Sequence, residues 1–253
     1  MKRRSVPGAE LTTLQVGGVC LNVIEAASQA QLLEALESEP EAICIGGGSN
    51  LLIADSGVES TIIRAFSPST SDLAIEPGSH LVRAGGTTDW DVLVQATVTA
   101  GLQGLEATSG VPGSVGGAVV QNLGAYGQEV ADVIVDVDVW DRQDRRRLTL
   151  NRDECKFRYR DSFFKHDDTR RFVVLAVSLQ LQEETSATPR YGDVSELLAQ
   201  RSRHSGPYSL EDIRDAVLTV RARKGMVLGA SLPSAGSFSV SYTHLTLPTK
   251  RIV

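Results

Sequence analysis

The sequence predicts an α+β fold built from two subdomains. Strand patterns and helix patterns are mixed along the chain without strict β-α-β alternation, which disfavours a fully parallel sheet. A polar stretch at residues 67–77 separates a short N-terminal unit from a longer second unit. With 253 residues, of which 42% are hydrophobic, the chain is long enough to build a core in each unit.

The first subdomain, residues 1–67, is predicted to be a small β-α-β-β-like unit. Its apolar and β-branched runs predict three strands, at residues 19–26, 41–45 and 60–65. Ser28 is placed to cap a helix that carries Leu32, Leu33 and Leu36. A glycine-rich turn directly follows the second of these strands, at residues 41–45, which is predicted to be buried.

The second subdomain is predicted over residues 76–208. Strands are expected at residues 80–84, 133–140 and 172–182, and helices at residues 90–100 and 193–200. Thr88-Asp89 is a capping sequence for the first of these helices, and Gly101 is a typical helix terminator. The last strand alternates, with Val177, Leu179 and Leu181 on one face and Ser178, Gln180 and Gln182 on the other. A helix at residues 209–224, with Ser209 and Asp212 as a weak capping box, opens a third domain at residues 209–238.

Composition excludes several classes of function. A net charge of −6 and a pI near 5.3 disfavour a general nucleic-acid binder, which needs a basic surface. No apolar run is long enough to cross a bilayer, and the basic N-terminus is not followed by a signal-peptide core. Three scattered cysteines and four scattered histidines predict neither disulfides nor a metal site. We therefore expect a cytoplasmic monomer with a small-molecule partner, and no nucleic-acid or membrane partner.

The first candidate site is the run Gly46-Gly47-Gly48-Ser49-Asn50, directly after a predicted strand. Glycines allow unusual backbone angles, and successive N–H groups in such a turn can bind a phosphate. The run is neither a dinucleotide G-x-G-x-x-G entering a helix nor a P-loop. Taken alone, it is equally compatible with an ordinary tight turn.

The second candidate is a glycine-dense loop predicted from Gly101 to Gly127. Its glycines alternate with valine, leucine and alanine, which favour burial, whereas a flexible linker would be rich in glycine and serine. This composition predicts backbone wrapped closely around a flat or phosphorylated ligand. A disordered linker is the alternative.

Two further segments combine charge with possible chemistry. Residues 155–165 interleave Arg158, Arg160 and Lys165 with aromatic side chains, and an arginine there could hold a carboxylate through two hydrogen bonds. The alternative is an aromatic-rich turn with solvated charges. Residues 220–226 end a predicted helix with two arginines and a lysine, and Ser237 is either an exposed hydroxyl or a turn residue.

In this order, the motifs resemble the UDP-N-acetylenolpyruvoylglucosamine reductase family. The residues that carry the resemblance are G-G-G-S-N-L-L, G-L-E-A-T-S-G-V-P-G-S-V-G-G-A-V-V-Q-N-L-G-A-Y-G, Y-R-D-S-F-F-K and A-G-S-F. The resemblance runs from about Leu11 to Phe238. Tyr191 resembles the substrate-loop tyrosine of one branch of this family.

The resemblance implies a flavin-binding fold of the p-cresol-methylhydroxylase type, with FAD held between two subdomains and a third domain over the substrate. It also implies the use of NADPH to reduce an enolpyruvyl nucleotide sugar in peptidoglycan precursor synthesis. The implied FAD-binding residues are Gly46, Gly47, Gly48, Ser49, Asn50, Leu51, Ser109, Gly110, Val111, Pro112, Gly113, Ser114, Gly116, Gly117, Gln121, Asn122, Gly124, Ala125 and Gly127.

The resemblance further assigns catalytic and substrate-binding residues. Arg160 would stabilise the negative charge that develops on the substrate, and Ser237 would donate a proton to its C2 atom. The implied substrate-binding residues are Tyr126, Tyr159, Tyr191 and Lys224. Another flavin oxidoreductase of the same fold and a non-catalytic binding module remain alternatives.

The sequence departs from the family after Phe238. Residues 240–249 resemble an in-frame translation of a sequencing adapter, so we expect residues 240–253 to be non-native and the substrate domain to be truncated. On this hypothesis the chain lacks a late catalytic glutamate and turns over little or no substrate. A divergent native tail is the alternative.

Overall fold

The computed structural model describes residues 2–166, 170–202 and 206–226. The first sheet has four strands, β1 Arg3–Pro7, β2 Val19–Ala26, β3 Ile43–Ile45 and β4 Val58–Ala65. Its strand order is β1-β2-β4-β3; β1 and β2 are antiparallel, whereas β4 runs parallel to both β2 and β3. The predicted β-α-β-β unit is therefore present, preceded by an N-terminal strand that the sequence pattern did not reveal.

The second unit contains a five-stranded antiparallel sheet and several two-residue strands. The strands are β5 Leu73–Ile75, β6 Leu81–Gly85, β7 Leu102–Gln103, β8 Gly124–Ala125, β9 Gln128–Glu129, β10 Ile134–Asp141, β11 Arg146–Asn151, β12 Phe172–Gln180, β13 Gln182–Glu183, β14 Ser186–Ala187 and β15 Tyr208–Ser209. The large sheet has the order β11-β10-β12-β6-β5. Because β5 pairs with β6, the second sheet begins before residue 76, within the stretch expected to separate the subdomains.

The α-helices are α1 Gly8–Leu11, α2 Gln29–Ser38, α3 Trp90–Thr99, α4 Val115–Val120, α5 Gly192–Ser202 and α6 Leu210–Arg223. Short 3-10 turns occupy Glu106–Thr108, Val130–Asp132 and Phe163–His166. The three caps predicted for α2, α3 and α6 are confirmed: the side chains of Ser28, Asp89 and Ser209 each accept a backbone N–H of the first helical turn.

Helix α4 corrects the prediction of a continuous loop from Gly101 to Gly127. Ser114 caps it by accepting the Gly117 N–H at 3.2 Å, and Val115 and Val119 are completely buried. Gly116 packs against the backbone of Gly86, where a Cβ atom would lie 3.1 Å from the Gly86 oxygen. A short helix therefore forms because its cap and its buried valines outweigh the poor helix propensity of glycine.

The alternation predicted for β12 holds only in part. The strand lies between β10 and β6, and its residues from Val173 to Leu179 are buried on both faces. Val173 and Leu175 pack with α2 and with Trp140, whereas Val177 and Leu179 belong to the core of the second unit. Ser178 is buried as well, and accepts a hydrogen bond from Arg83 Nη1 at 3.2 Å. Because a central strand of this kind is covered on both faces, its alternate side chains do not form a solvent-exposed face.

Helix α6 packs into the core of the second unit. Leu210, Ile213, Val217 and Val220 share one apolar cluster with α3, α4 and the five-stranded sheet. Packing is thus continuous across residue 209, where the sequence placed the start of a third domain. Ser237 and the expected non-native tail at residues 240–253 lie outside the described residues.

Across the described ranges, no helix combines the length and apolar character needed to cross a membrane. Within the same residues, no group of three or more histidine, cysteine or acidic side chains is arranged to hold a metal ion. The three cysteines carry free thiols.

Candidate functional site

The two glycine-rich segments predicted as candidate sites meet between the sheets. A Cβ atom built on Gly46 would lie 2.4 Å from Ser114 Oγ, and one on Gly47 would lie 3.0 Å from Gly113 Cα. Gly113 has φ +132, and its Cβ atom would lie 2.9 Å from Ser49 Oγ. A Cβ atom at Gly47 would press on the Gly113 backbone, and the positive φ of Gly113 favours glycine, whereas a Cβ atom at Gly46 would displace the Ser114 hydroxyl. The fold thus joins residues that are more than 60 positions apart.

The loop before α3 holds the second glycine-rich segment at this junction through backbone hydrogen bonds. Trp90 N donates to Gly113 O at 2.9 Å, Val115 N donates to Thr88 O at 2.8 Å, and Gly116 N donates to Gly86 O at 2.9 Å. The backbone of Gly113–Gly116 is therefore fixed by β6 and the start of α3. This rigid attachment holds the second glycine-rich segment in place against the first.

Thr87 and Thr88 are site candidates that sequence reasoning missed. Both side chains are 1% exposed, and their Oγ1 atoms have no hydrogen-bond partner among the described residues. A buried hydroxyl without a partner costs about 1–3 kcal/mol, so a ligand or water is expected to complete these groups. The run Gly85-Gly86-Thr87-Thr88 at the end of β6 was the available signal, but only Thr88 was interpreted, with Asp89, as a helix cap.

These features fit the pyrophosphate part of a dinucleotide cofactor. Closely approaching glycine backbones offer N–H groups to phosphate oxygens. The hydroxyls of Ser49 and Ser114 lie on the two glycine-rich segments, and those of Thr87 and Thr88 lie on the loop before α3. Gly46, Gly47 and Gly113 have no side chain that could occupy the position of a phosphate. The residues present are therefore suited to hold FAD at this junction.

Other residues predicted to bind the cofactor make internal contacts instead. Ser109 Oγ donates to Glu106 O at 2.6 Å, and Gly110 lies against α3 and α6. Gly124 and Ala125 form the β8–β9 hairpin. Asn122, which has φ +41, donates from Nδ2 to Arg158 O at 2.8 Å and accepts the Ala131 N–H at 3.0 Å. Their assignment to FAD stays a prediction.

Three of the four predicted substrate residues come together. The rings of Tyr126 and Tyr191 are 5.0 Å apart, edge to face, and Lys224 Nζ lies 5.7 Å from the centre of the Tyr191 ring. Lys224 also pairs with Asp193 at 2.6 Å, and this hydrogen bond raises the pKa of Lys224. A small cavity of about 50 Å³ lies beside the tyrosines and is also lined by Glu106, Gln128 and Arg190.

Arg160 occupies a separate, tightly fixed turn. Arg158 and Asp161 exchange two backbone hydrogen bonds of 2.9 Å, which places Arg160 at φ +53. The turn is anchored by Asn122 through Arg158 O and by Lys165 Nζ, which donates to Arg160 O at 2.8 Å. The Arg160 guanidinium lies 5.8 Å from the ring centre of Tyr159, and both side chains are exposed. Tyr159 therefore belongs to this turn rather than to the tyrosine pair.

Comparisons with known proteins support the predicted family and an FAD-binding domain. A family profile described as an FAD binding domain matches residues 21–149, about half of the chain. UDP-N-acetylenolpyruvoylglucosamine reductase of Thermobifida fusca is 39% identical over 93% of this chain and 67% of its own length. The enzyme of that name from Nocardia farcinica is 40% identical over 99% of this chain and 64% of its own. The chain thus spans about two thirds of these relatives.

A solved structure supports the same family and fold. The crystal structure of UDP-N-acetylenolpyruvylglucosamine reductase from Thermus caldophilus superposes with a TM-score of 0.59 at 25% identity, covering 87% of this chain and 95% of that chain. The predicted α+β FAD-binding fold is confirmed. The chain therefore belongs to the UDP-N-acetylenolpyruvoylglucosamine reductase family and contains an FAD-binding domain.

Proposed function

We propose that the complete protein reduces UDP-N-acetylglucosamine enolpyruvate to UDP-N-acetylmuramate, with NADPH as hydride donor, in the cytoplasmic synthesis of peptidoglycan precursors. The observation that carries the proposal is the contact between the two glycine-rich segments at Gly46–Gly47 and Gly113–Ser114. The reductase names of the relatives support the substrate class. We expect the protein to act as a monomer without nucleic-acid or membrane partners.

The cofactor would be held mainly by backbone. N–H groups of the two glycine-rich segments would bind the pyrophosphate of FAD, and the hydroxyls of Thr87 and Thr88 would complete their hydrogen bonds toward the same ligand. Bound FAD would supply the redox chemistry, which is hydride uptake from NADPH and hydride delivery to the enolpyruvyl group.

The substrate would meet two groups of side chains. The Arg160 guanidinium, fixed on its turn by Asn122 and Lys165, would pair with the carboxylate and stabilise negative charge as it develops. Tyr126, Tyr191 and Lys224 would face the nucleotide sugar, and a substrate phosphate would replace Asp193 as the partner of Lys224. Ser237 is the proposed proton donor.

The test uses the complete gene product, reconstituted with FAD and reduced by NADPH without oxygen. Addition of the enolpyruvyl nucleotide sugar should restore the visible absorbance of oxidised flavin. Arg160→Gln should slow this recovery by about 100-fold or more, because it removes a preorganised positive charge. Arg147→Gln, an exposed arginine on β11, is the matched control.

Two outcomes would redirect the assignment. A protein that binds FAD and is reduced by NADPH, but is not reoxidised by this substrate, would be a different flavin oxidoreductase. A folded protein that retains no flavin would be a binding module. Equal recovery rates in Arg160→Gln and Arg147→Gln would remove Arg160 from its proposed role.

A further inference from the structure

Gly110, in the second glycine-rich segment, is held through both of its backbone polar groups. Its N–H donates to Asp91 Oδ1 at 2.6 Å, and its carbonyl accepts from Arg221 Nε at 3.2 Å. Gly110 has φ +69, and a Cβ atom there would lie 2.6 Å from Leu218 Cδ2 of α6. The loop therefore approaches α6 as closely as its backbone allows, with charged side chains on either side.

Asp91 is itself fixed by α6. Arg214 donates from Nη1 and Nη2 to the two carboxylate oxygens, at 2.7 and 2.8 Å. Burial opposes ionisation of Asp91, but the hydrogen bonds from Arg214 and the Gly110 N–H outweigh it and lower the pKa of the carboxyl group. Asp91 is therefore a carboxylate at neutral pH, and one acid and two arginines connect α3, α6 and the Gly110 turn.

Arg221 reaches beyond this turn to the tyrosine cluster. It is 8% exposed, and its Nη2 donates to Met226 O at 2.7 Å. Burial lowers the pKa of Arg221, while the neighbouring Tyr126 and the charge of Asp91 oppose that shift. Tyr126 in turn packs on Tyr191, and Lys224 lies one helical turn after Arg221. One guanidinium thus binds both the glycine-rich loop and the turn at the end of α6, where Lys224 contacts the tyrosine cluster.

We propose that Arg221 is a positioning residue that mechanically couples the flavin loop at Gly110 to the substrate cluster at Tyr126. This inference rests on the proposed function of both regions. Its physical basis is the planar guanidinium, whose several donors bind acceptors in fixed directions. A lysine has a single ammonium group and cannot reproduce the two directed hydrogen bonds to the Gly110 and Met226 carbonyls.

The test measures two properties of the 253-residue chain in Arg221→Met and Arg221→Lys. The first is the Kd for FAD, by quenching of flavin fluorescence. The second is amide hydrogen exchange of the FAD-free chain at residues 109–113 and around Tyr126. Arg223→Met is the control, since it removes a positive charge from an exposed position of the same helix.

We expect Arg221→Met to weaken FAD binding about tenfold, because charged hydrogen bonds contribute roughly 1.5–3 kcal/mol. Exchange should become faster at both segments, and Arg221→Lys should restore only part of either property. A lower melting temperature with unchanged exchange at these segments would reduce Arg221 to a general structural role and overturn the proposal.

The FAD-free measurement separates this inference from the proposed function. If the unaltered chain binds no FAD, the proposed function fails, whereas faster exchange at both segments in Arg221→Met still supports the coupling. If FAD binds and both variants behave like Arg223→Met, the coupling is refuted and the proposed function stands. Should Arg221→Met fail to fold, Arg221→Lys alone decides between these outcomes.

Discussion

Asp141 is a buried carboxylate whose oxygens accept hydrogen bonds from Arg171 and from two backbone N–H groups. Its side chain is 0% exposed, and it accepts Arg171 Nε at 2.8 Å and Nη2 at 2.5 Å. The N–H groups of Gln143 and Asp144 donate to it as well. The Arg171 hydrogen bonds lower the pKa of Asp141 to about 2, against burial, which acts in the opposite direction.

This pKa predicts a specific pH dependence. A carboxyl whose folded pKa is lowered stabilises the fold above its unfolded pKa, here 3.8, and loses that contribution as pH falls toward about 2. The difference in free energy of unfolding between the unaltered chain and Asp141→Asn should therefore be constant near neutral pH and shrink below about pH 4. Denaturant titrations from pH 7 to pH 2 measure it, with exposed Asp55→Asn as control; a difference independent of pH would contradict the account.

Asn122 shows how one buried amide positions a catalytic candidate. It bridges Arg158 O and Ala131 N–H, and so attaches the turn of Arg160 to the end of α4. Asn122→Ala leaves the Ala131 N–H without an acceptor and removes one of the two hydrogen bonds to Arg158 O, the other coming from the Asp161 N–H, so we expect a loss of roughly 1–3 kcal/mol in stability. Chemical denaturation checks this, and Gln121→Ala should cost far less. Equal losses in the two variants would show that the amide bridge is unimportant.

Residues defined by partners distant in sequence were the hardest to predict. The glycine runs and Arg160 stand out in the sequence because their composition is unusual. Thr87, Asp91 and Arg221 do not, since a buried hydroxyl or a charged bridge is recognised only after the chain brings its partners together. Asn122 was assigned to the cofactor because of the motif around it, although its amide contacts protein backbone.

At the scale of elements, α6 connects the core to the site. Its apolar residues pack with the second sheet, while Arg214 binds Asp91 of α3, Arg221 binds the Gly110 loop and Lys224 binds Asp193 of α5. Its N-terminus is capped by Ser209, which accepts the Asp212 N–H at 3.0 Å. Fraying of this helix would therefore affect packing and the site together.

The cap gives a direct test. Ser209→Ala should lower the free energy of unfolding by about 1 kcal/mol, because an N–H of the first turn loses its acceptor. Ser209→Asp supplies another good cap and should keep most of the stability. Urea denaturation of the three proteins provides the measurement. Equal losses in both variants would mean that the serine contributes by packing and not by capping.

Element prediction succeeded where local signals agreed. Helices α2, α3 and α6 combine a cap with apolar spacing, and the bounds predicted for α3 and α6 differ from the observed ones by one residue at most. Helix α4 was missed because two of its six residues are glycine and three are valine, which are poor helix formers, and because it packs on Gly86 and buries two of its valines. The polar face expected for the strand at residues 172–182 is confirmed at Gln180 and Gln182, which are exposed, but Ser178 is buried and bound by Arg83, a contact that sequence alternation does not reveal.

At the scale of the whole molecule, an apolar cluster joins the two subdomains. Leu32, Leu36 and Ile63 of the first unit pack with Trp140, Val173 and Leu175 of the second. Leu175 is completely buried on the strand at the centre of the large sheet. The subdomains therefore share part of a core, which fixes the junction of the two glycine-rich segments.

This shared core predicts cooperative unfolding. Leu175→Ala should cost about 2–5 kcal/mol and should destabilise both subdomains together. Thiol labelling detects each side, since Cys20 is buried in the first unit and Cys155 in the second. Burial raises the pKa of Cys155 to about 12, so its thiol should be unreactive until the fold opens. Separate labelling midpoints for Cys20 and Cys155 in denaturant would show independent subdomains.

The central claim is that two glycine-rich backbones meet to hold FAD, and a titration of FAD into three proteins tests it. The unaltered chain should bind one FAD. Gly46→Ala should weaken binding at least tenfold, because its Cβ atom meets Ser114 Oγ at 2.4 Å. Gly192→Ala, where nothing lies within 4 Å of the added carbon, should bind FAD as the unaltered chain does. Absence of binding in the unaltered chain, or equal affinity in Gly46→Ala and Gly192→Ala, would contradict the account.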